Sequence, residues 1–358
     1  MIRTSHYRAI DWEIDCLTRM EVRLGSAAFS RNENLYSPPT VEEMLGMPPA
    51  ENELHLRRKK ALVQVSDQLY RIKAGRAGED AVDRSLSEIL MPPGTYVLRN
   101  ARITIRNGYQ IEVDTLILSP SFMLILEIKN VPGSLFFKES EGKTTRVRNN
   151  GEIDEFDCFI HQLDRQTEGL QQFLQERHIS LPVHGVVVLS NQNTVIKQRP
   201  DTYRVIYRKQ LARYVRALPP ANSPLHQETV DWLASAIRHS APHPAGEAFC
   251  DKLGIDAALL RKGVLCLACN QAIGRFPRIG WYCKSCDLPG KEAVRQAVDD
   301  RLTLIKPTIN NPEARDFLGM KHSSDVSRIL NDLDLIRTGN PPATLYRKKE
   351  SRPLRWKG

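Results

Sequence analysis

The sequence predicts a mixed α/β (α+β) protein carrying two small appended modules, and three observations predict it. Helical and strand-like segments alternate between residues 75 and 239, four cysteines stand in two C-x2-C pairs, and two short amphipathic helices with a basic tail follow them. At roughly 150 residues per domain, 358 residues make two to three domains. The expected division is a helical region over 1–74, an α/β domain over 75–239 and a linker over 240–260. A cysteine ribbon over 261–290 and a helical module with its tail over 291–358 complete it.

Composition narrows the class. With 41% hydrophobic and 26% charged residues the chain can bury a sizeable core, which argues against wholesale disorder and against a disulfide-stapled miniprotein. The apolar runs, such as Phe122 to Leu126 and Val186 to Leu189, are strand-sized, far below the roughly 18 residues of a membrane span. The opening MIRTSHYRAIDWEIDC mixes charges with apolar groups and holds no signal core, so a cytoplasmic protein is expected. Net charge is +9. Part of it is clustered, at Arg57, Arg58, Lys59 and Lys60 and at Arg347, Lys348, Lys349, Arg352, Arg355 and Lys357. Such clusters fit a polyanionic partner, and they also fit solvated helix faces and tails.

Residues 1–74 read as helical, broken by prolines near Ser37-Pro38-Pro39 and Pro48-Pro49, with helical periodicity from Leu54 to Lys73. A helix over Glu79 to Leu90 is followed by strands over Tyr96 to Ile105, Ile111 to Leu118 and Phe122 to Asn130. Then come a helix over Phe159 to Arg177, a strand over Val183 to Leu189, and helices over Gln210 to Ala217 and Gln227 to His239. SAPHPAG, from Ser240 to Gly246, has the composition of a linker.

Cys266-x2-Cys269 and Cys283-x2-Cys286, thirteen residues apart, are the strongest local signal. Two thiolate knuckles supply the closed tetrahedral set that structural zinc prefers, and GRFPRIGW between them suits the hairpin of a zinc ribbon. Four thiolates leave no open position for catalysis. Cys16, Cys158 and Cys250 are scattered and read as small apolar residues.

The strands IEVDTLIL and FMLILEIKN are separated by Ser119-Pro120-Ser121. Side chains alternate along a strand, so Glu127 and Lys129 share a face. In an antiparallel hairpin turning between Pro120 and Ser121, Asp114 stands opposite Glu127 and Glu112 opposite Lys129. Two adjacent carboxylates in an apolar sheet repel and are costly to desolvate unless a cation lies between them. With oxygen ligands and no nearby histidine, that cation would be magnesium or manganese; a pair of salt bridges at a sheet end is the other reading.

Gly75-x-x-Gly78-Glu79 opening a helix, Asp114 on a strand, Glu127-Ile128-Lys129-Asn130 followed by Pro132-Gly133, and Gln162 on the next helix together resemble the nuclease-related domain (NERD). That family is placed in the restriction-endonuclease-like PD-(D/E)xK superfamily, and the resemblance spans roughly residues 70–190. It implies a restriction-endonuclease-like mixed sheet flanked by helices, with Asp114 and Glu127 as ligands of Mg2+ or Mn2+. Lys129 would orient the attacking water or stabilise charge on the phosphate, and Glu79 and Gln162 would complete the site. Where the family pattern often has Gln two residues before the strand aspartate, this chain has Glu112.

Asn311-Pro312-Glu313 reads as a helix start with Asn311 as cap. Ser323 and Ser324 can cap a second helix, Asp325 to Leu333, whose Val326, Ile329, Leu330 and Leu333 form an apolar face with Ser327 and Arg328 outward. Ala343 to Arg347 could add a wing strand. The whole looks like a helix-turn-helix end joined to a zinc ribbon, with Ser324, Ser327, Arg328, Arg347, Lys348 and Lys349 facing nucleic acid. A plain packing module remains open.

The expected function is a divalent-metal-dependent nuclease, a phosphodiester hydrolase acting on DNA ahead of RNA, with Zn2+ structural and Mg2+ or Mn2+ catalytic. The alternatives are a DNA- or RNA-binding protein that keeps the fold as a scaffold, and a protein-interaction adaptor.

Overall fold

The computed structural model describes residues 3–4, 9–25, 49–105, 108–202, 204–219, 221–240, 248–340 and 343–349. The break at Ser37-Pro38-Pro39, the body of the SAPHPAG stretch and the tail cations Arg352, Arg355 and Lys357 lie outside the described residues. The chain starts with strand β1 (Arg3–Thr4), helix α1 (Ala9–Leu24) and the 39-residue helix α2 (Pro49–Ser87). Helix α2 runs through Gly75 and Gly78, where the sequence reading starts a helix, so Glu79 sits inside a helix and not at its positive end. Contacts divide the chain into two units, Met1–Asp11 with Arg71–His243 and Trp12–Tyr70 with Pro244–Gly358.

In the first unit, β2 (Tyr96–Thr104), β3 (Gln110–Leu118) and β4 (Met123–Lys129) form an antiparallel meander. After it come β5 (Gly133–Lys138), β6 (Lys143–Val147) and β7 (Ile153–Asp157), then helix α3 (Phe159–Gln175). Next are β8 (Val183–Leu189), β9 (Thr194–Gln198), β10 (Arg204–Tyr207), α4 (Leu211–Arg216) and α5 (Gln227–Ser240). The main sheet has the order β1-β2-β3-β4-β8-β10, and β4, β8 and β10 run parallel, which makes it mixed. A second sheet, β7-β6-β5-β9, was not legible beforehand: KTTRV and IDEFD are short and polar and carry no apolar alternation.

Both faces of the main sheet are buried. Leu116, Leu118, Ile125 and Val187 face a core closed by Leu163, Leu170 and Phe173 of α3 and by Leu233 and Ile237 of α5. Ile117, Leu124, Leu126 and Val188 face a core closed by Val82 and Leu86 of α2 and by Leu211 and Val215 of α4. Burying each such side chain stabilises by about 1.5–3 kcal/mol. Helix α3 lies close on β3 because Gly169 has no side chain: a Cβ there would stand 2.8 Å from Ile111 Cγ2.

The second unit has its own core. Helix α6 (Phe249–Leu253), with buried Phe249 and Cys250, occupies part of the stretch expected as a linker. Strands β11 (Gly274–Phe276), β12 (Gly280–Cys283) and β13 (Leu288–Pro289) form the cysteine ribbon. Helix α7 (Lys291–Asp300) continues into a wider π-type turn, Arg301–Ile305, before β14 (Thr308–Ile309). Helices α8 (Asn311–Leu318) and α9 (Ser323–Asp332) are joined by a tight turn, and β15 (Leu335–Thr338) and β16 (Leu345–Lys348) form a hairpin whose sheet order is β14-β16-β15. Val264, Cys283, Val298, Phe317, Val326 and Tyr346 pack together in one core. Helix α1 belongs to this unit through Arg23, 1% exposed, which bonds Asp300 at 2.8 Å and the carbonyls of Arg261 and Gly263.

Two cap assignments change. The cap of α8 is Asn310, whose side chain accepts from Glu313 N at 2.8 Å while Glu313 accepts from Asn310 N at 3.0 Å. Asn311 instead donates to Ser323 O and to Ser327 Oγ, so Ser327 turns towards α8 and not outward. Helix α9 starts at Ser323, with His322 in the cap position.

Candidate active site

The site forms where the β3/β4 ladder ends. Its register pairs Thr115 with Leu126 and Leu116 with Ile125, as a turn between Pro120 and Ser121 requires. Ser119 fixes that turn, its N–H donating to Phe122 O at 3.0 Å and its Oγ accepting from Phe122 N at 3.0 Å. One step beyond the last pair the strands are held by side chains. Ile128 N donates to Asp114 Oδ2 at 2.8 Å, and Gln166 Nε2 of α3 donates to Glu112 O and to Glu127 Oε2, both at 2.8 Å.

Glu127 is fully buried. The Lys129 ammonium stands 2.6 Å from the buried Glu127 Oε1 and forms an ion pair with it. Lys129 also donates to Gln162 Oε1 at 3.2 Å and lies 4.6 Å from the centre of the Phe159 ring. Burial, then the Glu127 charge, pushes the Asp114 carboxyl up to about 7, partly offset by Lys129 and by the Ile128 N–H. A buried carboxylate whose Oε1 meets only the Lys129 ammonium, beside a carboxyl that resists ionisation, fits a cation held by Asp114 and Glu127.

Asp114, Glu127, Lys129 and Gln162 are therefore brought together. Glu79 is buried on α2, which covers the opposite face of the sheet. It follows Gly78, where a Cβ would stand 2.7 Å from Asn130 Cβ and from Ser190 Oγ, at the same end of β4. Among the described residues Glu79 does not join Asp114 and Glu127 in a three-carboxylate cluster. Glu112 does not meet Lys129. It is exposed and ion-paired with its β2 neighbour Arg102 at 2.6 Å, because beyond Thr115 strand β3 stays paired with β2 alone. Gln166, 3% exposed, is a further residue of the site, one of several glutamines on α3. The available signal was its i+4 spacing from Gln162, which puts both on one helix face.

In the second unit the Sγ atoms of Cys266, Cys269, Cys283 and Cys286 lie within 4.8 Å of one another, and Cys269 and Cys283 are 3.7 Å apart. Zn–S bonds of about 2.3 Å in a tetrahedron give S···S edges of about 3.8 Å, so this cluster fits a structural zinc. Burial raises the Cys266 thiol, but backbone N–H groups of the knuckle outweigh it and bring the thiol down to about 7.

The residues called for nucleic acid are dispersed. Ser324 and Arg328 are exposed on α9, with Arg328 3.7 Å from Asp325. Asp325 also pairs with Arg275 of the ribbon at 2.5 Å, which holds its carboxyl below the usual range. Lys348 pairs with Asp299 and Lys349 with Asp334, and Arg347 stands opposite Thr308 and Ile336 on β16. No helix among the described residues is long and apolar enough to cross a membrane.

Two carboxylates and a lysine thus stand where the central strands of a mixed α/β sheet part. Residues 74–190, about a third of the chain, match the family model of the nuclease-related domain, NERD, so the first unit carries a domain of that family. Neither the comparison with curated proteins nor that with solved structures gave a match.

Proposed function

We propose that the protein is a divalent-metal-dependent nuclease that hydrolyses phosphodiester bonds of nucleic acid, DNA ahead of RNA. The observation that carries this is the Asp114–Glu127 pair at the parted ladder, with the buried Glu127 carboxylate ion-paired to Lys129. Asp114 and Glu127 would hold one Mg2+ or Mn2+, water and phosphate oxygens filling the remaining positions. Bound there, the ion would lower the pKa of a water and offset charge on the phosphoryl oxygens. Asp114 Oδ2 is committed to Ile128, which leaves Oδ1 to the cation. Lys129, released from Glu127 as the cation takes that carboxylate, would turn its ammonium to the phosphate. Gln162 and the Phe159 ring keep that ammonium within the site while it changes partner. Glu79 would act from α2 at the end of β4.

The ribbon cysteines would carry a structural Zn2+, and the protein would act in the cytoplasm, where thiolates stay reduced. Ser324 and Arg328 of α9 would contact the substrate backbone, Lys348 and Lys349 would join them by exchanging Asp299 and Asp334 for phosphates, and Arg347 would add a further contact from β16. One observation favours a second reading, a non-catalytic nucleic-acid-binding scaffold: Lys129 already neutralises Glu127. Incubating zinc-loaded protein with single- and double-stranded DNA and RNA in Mg2+ or Mn2+, beside Asp114→Ala, separates the two. Cleavage lost in the variant supports the nuclease. Intact substrate with salt-sensitive binding by both proteins supports the scaffold.

A further inference from the structure

We propose that Gln166 is a positioning residue for the carboxylate pair, strapping Glu127 to β3 so that Asp114 and Glu127 hold a single divalent cation; this rests on the nuclease reading above. The amide orientation is fixed by chemistry. Nε2 meets two acceptors, the Glu112 carbonyl and Glu127 Oε2, each at 2.8 Å, and the flipped amide would set an oxygen against both. Those acceptors lie on different strands, β3 and β4, at the point where backbone pairing has stopped after Thr115 and Leu126. One side chain therefore replaces the missing ladder bond on the β3 side, while Asp114 replaces the one on the β4 side through Ile128 N. The spacing of the two carboxylates is set by these two cross-strand bonds.

Gln166 also selects which oxygen of Glu127 is available. Its Nε2 occupies Oε2, so Oε1, which meets only the Lys129 ammonium, is the atom left to a cation once Lys129 withdraws. Gln166 itself is 3% exposed and its Oε1 has no hydrogen-bond partner, so neither solvent nor another side chain accounts for its burial. Gln162, one turn earlier, touches Lys129 and neither carboxylate bond, which separates the two glutamines by role. The close seating of α3 at Gly169 is what brings Gln166 within reach of β3.

The test is Mn2+ binding to the full zinc-loaded chain by calorimetry, with melting temperatures measured alongside, for wild type, Asp114→Ala, Gln166→Met, Gln166→Glu and Gln171→Met. Expected is one Mn2+ site in wild type that Asp114→Ala abolishes. Both Gln166 variants should weaken it about 10–100-fold, the usual effect of losing a hydrogen-bond partner of a metal ligand. Gln171→Met, at an exposed position of the same helix, should leave it unchanged, and excess Mn2+ should restore cleavage by Gln166→Met. Wild-type affinity in both Gln166 variants overturns this proposal alone, and a wild type that binds no Mn2+ overturns the nuclease reading with it. Unfolding of both variants at the assay temperature assigns Gln166 to the core and overturns the positioning role.

Discussion

Asp114 accepts the amide proton of Ile128 at 2.8 Å, so a carboxylate takes the place of a backbone carbonyl at the end of the β3/β4 ladder. The bond is local in space and fourteen residues apart in sequence. It holds the carboxylate beside buried Glu127 without help from a loop, on the most rigid element of the unit.

Lys129 is the group whose removal should separate chemistry from binding. Lys129→Ala should reduce cleavage at least about 100-fold, the scale of losing one charge-stabilising donor. Affinity for uncleaved substrate, measured in Ca2+ by fluorescence anisotropy, should stay near wild type. Equal loss of both would refute the assigned role.

The carboxyl of Asp114 ties metal-free stability to pH. It is raised from 3.8 to about 7, so between those values the folded chain holds a proton that the unfolded chain has lost. Unfolding then releases a proton, and this group's contribution to stability falls as pH rises through that window. Asp114→Asn removes the penalty. In magnesium-free buffer the variant should melt a few °C above wild type at pH 8 and no higher at pH 4; a constant difference across the range would contradict the shift.

Cysteine reactivity should divide four against three. Burial pushes the Cys16 and Cys250 thiols up to about 12 and Cys158 is 2% exposed, so all three should resist alkylation at neutral pH until the chain unfolds. Chelation should open Cys266, Cys269, Cys283 and Cys286 to iodoacetamide. Because Cys266 and Cys283 belong to the core shared with Phe317 and Val326, chelation should also lower the melting temperature of the second unit. Mass spectrometry of peptides reads the order, and early labelling of Cys16 would count against it.

Arg23→Ala should cost about 3–5 kcal/mol, the price of leaving the buried Asp300 carboxylate without its partner. Arg19, which also bonds Asp300 at 2.6 Å, should soften the loss. Urea unfolding of the single and double variants gives the coupling, and a cost below 1 kcal/mol would place this network on the surface.

The sequence made the site more legible than its surroundings. A three-residue Ser-Pro-Ser turn admits few registers, so the opposition of Asp114 and Glu127 followed from arithmetic and alternation. The same arithmetic failed for Glu112 and Lys129 because it assumes that pairing continues, and β3 leaves β4 after Thr115 while keeping β2, where Arg102 waits. Gln166 was missed since its partner is a carbonyl 54 residues away, which no local pattern encodes. The cap of α8 moved by one residue because two consecutive asparagines offer the same amide-oxygen acceptor, and Asn310 is the one with extended backbone outside the helix. Strands β6 and β7 escaped because a polar hairpin paired through its backbone needs no apolar alternation.

Arg23 meets Asp300 across 277 residues of chain. On a ribosome adding roughly 5–20 residues per second, helix α1 would wait about 15–55 s before its counter-charge exists. The nuclease-related segment, finished by residue 243, can settle on its own during that interval. Helix α1, whose Glu21 accepts from Ser66 of α2, meanwhile has only that early helix beside it, and its buried face of Leu17, Met20 and Leu24 lacks the part of the core made after residue 244. The order of synthesis therefore gives this protein one half that matures on the nascent chain and another that closes only near the end, with the window between as its period of exposure to chaperones and proteases.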